Sequence, residues 1–250
     1  MTLFPRPLHL LLALCLGCLA PASAAAADLV ITVGDSTVQD WPVAEAKRGW
    51  GQMLPGFLAP QVRALNHAAG GRSSKSFRAE GRWDKVLAAK PTLVLIQFGH
   101  NDAHGPGRPE STDAAGDFRD NLRRYVDEAK AAGISVVLVT PPPHRIAGPA
   151  GGSDGALLPY ATATRAVAKE RGVPCIDLFA TATAAFNKLD DEGRLALFCS
   201  SEDRSHFSVR GATLLAAMIA EGLAREPALK GYVRDPAGWP VDAPPAATGK

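Results

Sequence analysis

Residues 28–38 read DLVITVGDSTV, an apolar run that ends at Val33-Gly34 and gives way at once to an acid and two hydroxyls. A run with no polar face reads as a strand covered on both sides, the pattern of a parallel sheet enclosed by helices. Four further strand candidates follow at 62–68 (VRALNHA), 92–99 (TLVLIQFG), 134–141 (ISVVLVTP) and 173–179 (VPCIDLF). Helical patterns lie between and after them at 113–132, 157–171, 180–191 and 208–224. Strands alternating with helices predict an α/β fold with a parallel central sheet. Segments 103–112 and 141–156 are rich in Pro and Gly and read as loops.

The chain of 250 residues is 46% hydrophobic, enough for one sizeable core. Its start is set apart. Arg6 precedes the apolar block LHLLLALCLGCLA, and PASAAAAD supplies small residues for a cleavage site, so residues 1–24 read as a secretory signal peptide. The block is shorter than the roughly 18 residues of a membrane span. One domain over 25–227 and a Pro/Ala-rich tail over 228–250 complete the expected organisation, with a secreted or periplasmic destination. The formal net charge is +2 and falls by one, to +1, when Arg6 leaves with the leader. A near-neutral chain gives no support for nucleic acid or an anionic membrane as partner. Cys175 and Cys199 remain after cleavage and can either pair or stay as buried thiols.

In an open parallel sheet, ligands bind beyond the carboxyl ends of the strands. The expected strands end in Gly34-Asp35-Ser36, in Asn66-His67-Ala68-Ala69-Gly70-Gly71-Arg72 and in Gly99-His100-Asn101-Asp102. Ser36 alone also fits a helix N-cap. A nucleophile needs a base, a group to orient the base, and donors for a developing oxyanion. Near the C-terminus, EDRSHFSVRGA places Asp203 three residues before His206, which supplies the first two. The Gly71 N–H and the Asn101 side-chain amide supply donors, although a turn glycine and an Asx-turn asparagine would look the same.

Taken together, GDSTV (34–38), the Gly of NHAAGGRSS (66–74), the Asn of FGHND (98–102) and the Asp-x-x-His of DRSHFS (203–208) resemble the four ordered blocks of the SGNH branch of the GDSL hydrolases. GDST, GWGQ (49–52), GGRSSKSFRAEGRW (70–83), IQFGHND (96–102) and DRSHFSVRGA (203–212) are similar, more narrowly, to the rhamnogalacturonan acetylesterases. The resemblance implies a flavodoxin-like three-layer α/β/α sandwich. It also implies Ser36 as nucleophile, His206 as base, Asp203 as its orienting acid, and an oxyanion hole of the Ser36 and Gly71 amides with the Asn101 side chain. An acetylated polysaccharide would be the substrate, with no cofactor and no metal. Loop 141–155 matches no family motif, so the choice among rhamnogalacturonan, xylan and other acyl esters stays open.

Other features lead elsewhere. His100 and His104 flank Asp102 in an H-x-x-x-H spacing that would suit a metal-dependent deacetylase if it were helical, but the segment follows a strand and enters GPGRP. A non-catalytic carbohydrate-binding protein would have no use for the Ser, His and Asp set. Arg72 and Trp83 are candidates for binding an acidic sugar, the alternatives being a local salt bridge and a core position. His67 and His144 read as structural residues at loop edges.

Overall fold

The computed structural model describes Met1 and residues 28–145 and 154–240. Apart from Met1, the expected leader lies outside the described residues, as do 146–153 of the long Pro/Gly loop and the last ten residues. The elements run β1 Leu29–Gly34, α1 Trp50–Met53, β2 Arg63–Asn66, α2 Ser74–Ala79, α3 Arg82–Ala88, β3 Leu93–Gln97, α4 Asp117–Ala131, β4 Ser135–Val139, α5 Leu158–Arg171, β5 Cys175–Ile176, α6 Leu178–Phe186, α7 Asp191–Leu195 and α8 Val209–Arg225.

All strand pairs are parallel, in the order β2-β1-β3-β4-β5. This is the doubly wound, flavodoxin-like order, whose direction of winding reverses between β1 and β3. The alternation of side chains divides the apolar residues between two cores. Val30, Leu93, Leu95, Val137 and Val139 pack with Trp50 of α1, Phe186 of α6 and the apolar side of α8. Ile31, Val33, Val94, Ile96, Val136 and Leu138 pack with Phe77 of α2, Trp83 of α3 and the buried sides of α4 and α5. The result is the expected three-layer α/β/α sandwich, and each fully buried aliphatic contributes about 2 kcal/mol by leaving water.

Some boundaries differ from the sequence reading. The segment GGRSSKSFRAEGRW carries two short helices, because Ser73 and Ser76 form a reciprocal capping box at the start of α2. The helix expected over 180–191 starts earlier, capped by the Asp177 side chain, and restarts as α7 on an Asp190 cap. That same Asp177 ends β5 after two residues, so the strand is shorter than 173–179. Beyond Pro227, described residues as far as Trp239 pack on the domain. Leu229 is buried, Val233 bridges to Leu58, and Trp239 meets the Phe57 ring edge-on at 5.3 Å, so the domain extends to about residue 240. Cys175 and Cys199 are both free thiols.

Candidate active site

The register pairs Val33 with Ile96 and Gly34 with Gln97, so β1 and β3 end side by side at the point where the winding reverses. A Cβ on Gly34 would lie 2.5 Å from the Gln97 carbonyl oxygen, so the close approach of these two strand ends requires glycine. The next residue, Asp35, is fully buried, not the solvent-facing turn carboxylate its position after a strand also suggests. Its Oδ1 accepts from the Thr37 amide at 2.9 Å and the Thr37 hydroxyl at 2.8 Å, and its carbonyl accepts from the Val38 and Gln39 amides. Burial pushes this carboxyl up, but His100 and the Thr37 donors outweigh that and hold it below its ordinary value. The turn is thereby locked around an anion, and Ser36 stands at its apex.

Helix α8 and the loop before it bring the second part of the site. Ser208 caps α8, and the preceding residues fold so that the Asp203 Oδ1 accepts from the Ser205 and His206 amides, each at 2.9 Å. His206 Nδ1 lies 2.8 Å from Asp203 Oδ2, and His206 Nε2 lies 2.9 Å from Ser36 Oγ, 170 residues away in sequence. Burial raises the Asp203 carboxyl, yet the two amides and the His206 ring hold it well below the usual carboxylate range. As an anion it accepts the Nδ1 proton, which leaves Nε2 free to take a proton from the serine. The Cys199 thiol also lies against Asp203. Burial and that carboxylate push the thiol up to about 11, so it stays protonated.

Gly71 has φ +77°, and a Cβ there would meet nothing within 4 Å, so glycine answers the backbone angle and not a lack of room. Among the described residues, the Ser36 and Gly71 amides donate to no protein acceptor. Asn101 Nδ2 donates to the Arg72 carbonyl at 3.1 Å, which spends one amide hydrogen and fixes the direction of the other. Asp102 ties these donors together. It accepts from the Ser74 amide at 3.1 Å, the Ser74 hydroxyl at 2.6 Å and the Thr112 hydroxyl at 2.9 Å. Burial dominates its titration and pushes the carboxyl up to about 7. The bonds fasten the start of α2, and with it the Gly71–Arg72 loop, to the end of β3.

The structure thus brings Ser36, Gly71, Asn101, Asp203 and His206 together but leaves two sequence candidates out. Trp83 is buried in the core, 1% exposed, edge-on to Tyr125 at 4.8 Å, with its Nε1 donating to Glu128 at 2.7 Å, so no sugar can reach its face. Arg72 is turned away from the cleft, paired with Glu80 at 3.1 Å and donating to the Gly70 carbonyl. The aromatic residue that does line the cleft is Trp41, whose ring meets His206 edge-on at 5.5 Å and whose Nε1 donates to the Ser36 carbonyl at 2.9 Å. Its only sequence signal is its position five residues after the serine. His104 pairs with Glu110 at 2.7 Å, and among the described residues no three His, Cys, Asp or Glu side chains converge as a metal would require.

The cleft at Ser36 has a volume of about 370 Å³ and is lined by His100, His104, His144 and Ala156 as well as by Trp41 and His206. A second cleft of about 710 Å³ runs past Arg108, Asp113 and Tyr160, and shares Ala103, His104 and Ala156 with the first.

Comparison with known proteins fits this geometry. The crystal structure of protein YxiM of Bacillus subtilis superposes with a TM-score of 0.71 at 26% identity, over 79% of this chain and 56% of that one. That of Axe2, an acetylxylan esterase from Geobacillus stearothermophilus, superposes with a TM-score of 0.62 over 80% of this chain and 94% of that one, and at 21% identity it speaks for the fold alone. In sequence, the chain is 35% identical to the rhamnogalacturonan acetylesterase RhgT of Bacillus subtilis (strain 168) over 209 residues, 78% of this chain and 88% of that protein. The model of the GDSL-like lipase/acylhydrolase family matches residues 32–214, from within β1 into α8. The chain belongs to that family and is a carboxylic ester hydrolase.

Proposed function

We propose that the protein is an exported serine esterase that removes acetyl groups from a plant cell-wall polysaccharide of the rhamnogalacturonan type. The observation that carries the chemistry is the continuous chain Ser36 Oγ, His206 Nε2, His206 Nδ1 and Asp203 Oδ2, with links of 2.9 and 2.8 Å, beside the Ser36 and Gly71 amides and the second amide hydrogen of Asn101. The similarity to RhgT supports the pectic substrate, the joined clefts provide length for a polymer, and the leader-like residues 1–24 support export.

In this reading Ser36 Oγ attacks the acetyl carbonyl carbon as its proton passes to His206 Nε2. The carbonyl oxygen becomes an oxyanion held by the Ser36 and Gly71 amides and by Asn101 Nδ2, each such donor contributing about 3 kcal/mol in a transition state. Collapse breaks the ester bond, and the sugar oxygen leaves with the proton from His206. Water then attacks the acetyl-serine, gives a proton to the same nitrogen, and acetate departs as Ser36 recovers its hydrogen.

The test is acetate release from acetylated rhamnogalacturonan, run beside acetylated xylan, with wild type and Ser36→Ala. Release from the pectic polymer that disappears in the variant is expected. Release from xylan alone would retain the chemistry and overturn the substrate, and an undiminished Ser36→Ala would overturn both.

A further inference from the structure

The cleft contains a second histidine backed by a carboxylate. His144 Nδ1 lies 2.7 Å from Asp154 Oδ2, and the His144 amide donates to the same oxygen at 2.9 Å. The Ala156 and Leu157 amides point at Asp154 Oδ1, at 3.1 and 3.3 Å. Burial pushes the Asp154 carboxyl up, but His144 and these amides hold it well below the usual range, so it is an anion that only accepts. The Nδ1 of a neutral His144 therefore carries the proton, and its Nε2 presents a lone pair. Asp154 is 7% exposed while the His144 side chain is 25% exposed, so the open part of the pair is the imidazole.

That lone pair has no partner among the described residues. The ring next to it, His100, meets His144 edge-on at 5.0 Å and is itself 7% exposed with neither ring nitrogen hydrogen-bonded. His100 Nδ1 lies 3.7 Å from Asp35, the residue before the candidate nucleophile, so the two rings continue from the serine turn along one wall of the cleft. Buried polar groups without partners are uncommon, and the two residues that carry these rings, His100 and His144, both line the cleft a substrate would fill.

Resting on the reading of the cleft as that of a carbohydrate esterase, we propose that His144, held by Asp154, selects the sugar: its Nε2 accepts a hydrogen bond from a sugar hydroxyl next to the acetyl ester. An imidazole with an acceptor nitrogen and no nucleophile of its own cannot repeat the role of His206. It can discriminate an ester that carries such a hydroxyl from one that does not, because the hydroxyl-free ester leaves the acceptor unpaired.

The experiment measures kcat and KM for His144→Ala and His144→Gln on an acetylated rhamnogalacturonan oligosaccharide and on 4-nitrophenyl acetate, which has no hydroxyl. His144→Ala should lose about tenfold in kcat/KM on the sugar ester, mostly through KM, and keep within about twofold of wild type on 4-nitrophenyl acetate. His144→Gln, whose side-chain carbonyl can accept at the same place, should regain part of the loss. Equal losses on both esters, or none on either in correctly folded variants, would overturn the proposal. A wild type that hydrolyses 4-nitrophenyl acetate but releases nothing from any acetylated glycan would overturn the function proposed above, and the role of His144 with it.

Discussion

Two histidines reach the cleft with an aspartate behind them, and the two pairs are built differently. His206 and Asp203 stand three residues apart, joined through the ring and through two successive amides on one carboxylate oxygen. His144 and Asp154 stand ten residues apart, and the histidine ring and amide converge on a single oxygen. What separates them chemically is the far nitrogen: Ser36 Oγ meets that of His206 at 2.9 Å, whereas that of His144, a residue lining the cleft, has no partner among the described residues. On our proposals, the same dyad serves as a proton carrier in one place and as a recognition group in the other, and the neighbour of Nε2 makes the difference.

The largest expected effect breaks this comparison at the serine. His206→Ala should lower kcat by about 10⁶-fold on sugar esters and on 4-nitrophenyl acetate alike, the scale on which serine hydrolases lose their base. A loss of less than about tenfold in a folded variant would remove His206 from the reaction. Asp203→Asn comes next, at about 10⁴-fold, because an amide in place of the carboxylate no longer fixes the Nδ1–H tautomer. The matching Asp154→Asn should leave 4-nitrophenyl acetate within about twofold, and a parallel collapse of both variants would mean that the two pairs do the same work.

The smallest effect lies in acid stability. In both pairs the carboxyl is held below its ordinary value, so its contribution is complete above the unfolded-state pKa of about 4 and is lost as pH falls below that. The gap in Tm between wild type and either Asp→Asn variant should therefore narrow by a few degrees between about pH 5 and pH 3. A gap that stays constant would show that the aspartates act through packing and not through charge.

The two pairs also differ in how far they can be read from the chain. Asp203-x-x-His206 is a local pattern closed within one turn, so its geometry is nearly implied by its spacing. Nothing in the spacing of His144 and Asp154, separated by a Pro/Gly-rich stretch, distinguishes a cleft-facing dyad from a loop histidine at rest. The tryptophans illustrate the same limit. Trp83 sits in a motif block that carries the family resemblance, yet its indole closes the core between α3 and α4, while Trp41, outside every block, lines the cleft. An aromatic ring serves a core and a sugar face equally well, and only its surroundings choose between them.

The parallel sheet followed from the sequence chiefly through β1, β3 and β4, whose nearly continuous apolar runs are those of strands covered on both faces, whereas β2, half exposed at the sheet edge, and the two-residue β5 are shorter than their sequence patterns suggest. Ser36, Gly71, Asn101, Asp203 and His206 were legible through their ordered motif blocks; in the fold Ser36, Gly71, Asn101 and His206 line one cleft, and Asp203 stands behind His206. Only tertiary structure decided that Asp35 is a buried anion inside the serine turn, that Asp102 bolts the start of α2 to β3, that residues 229–239 pack on the domain, and that Arg72 bends back to Glu80. Each depends on which distant groups arrive to satisfy a charge or cover an apolar face. The sequence determines which residues need a partner, and the fold determines which partner they meet.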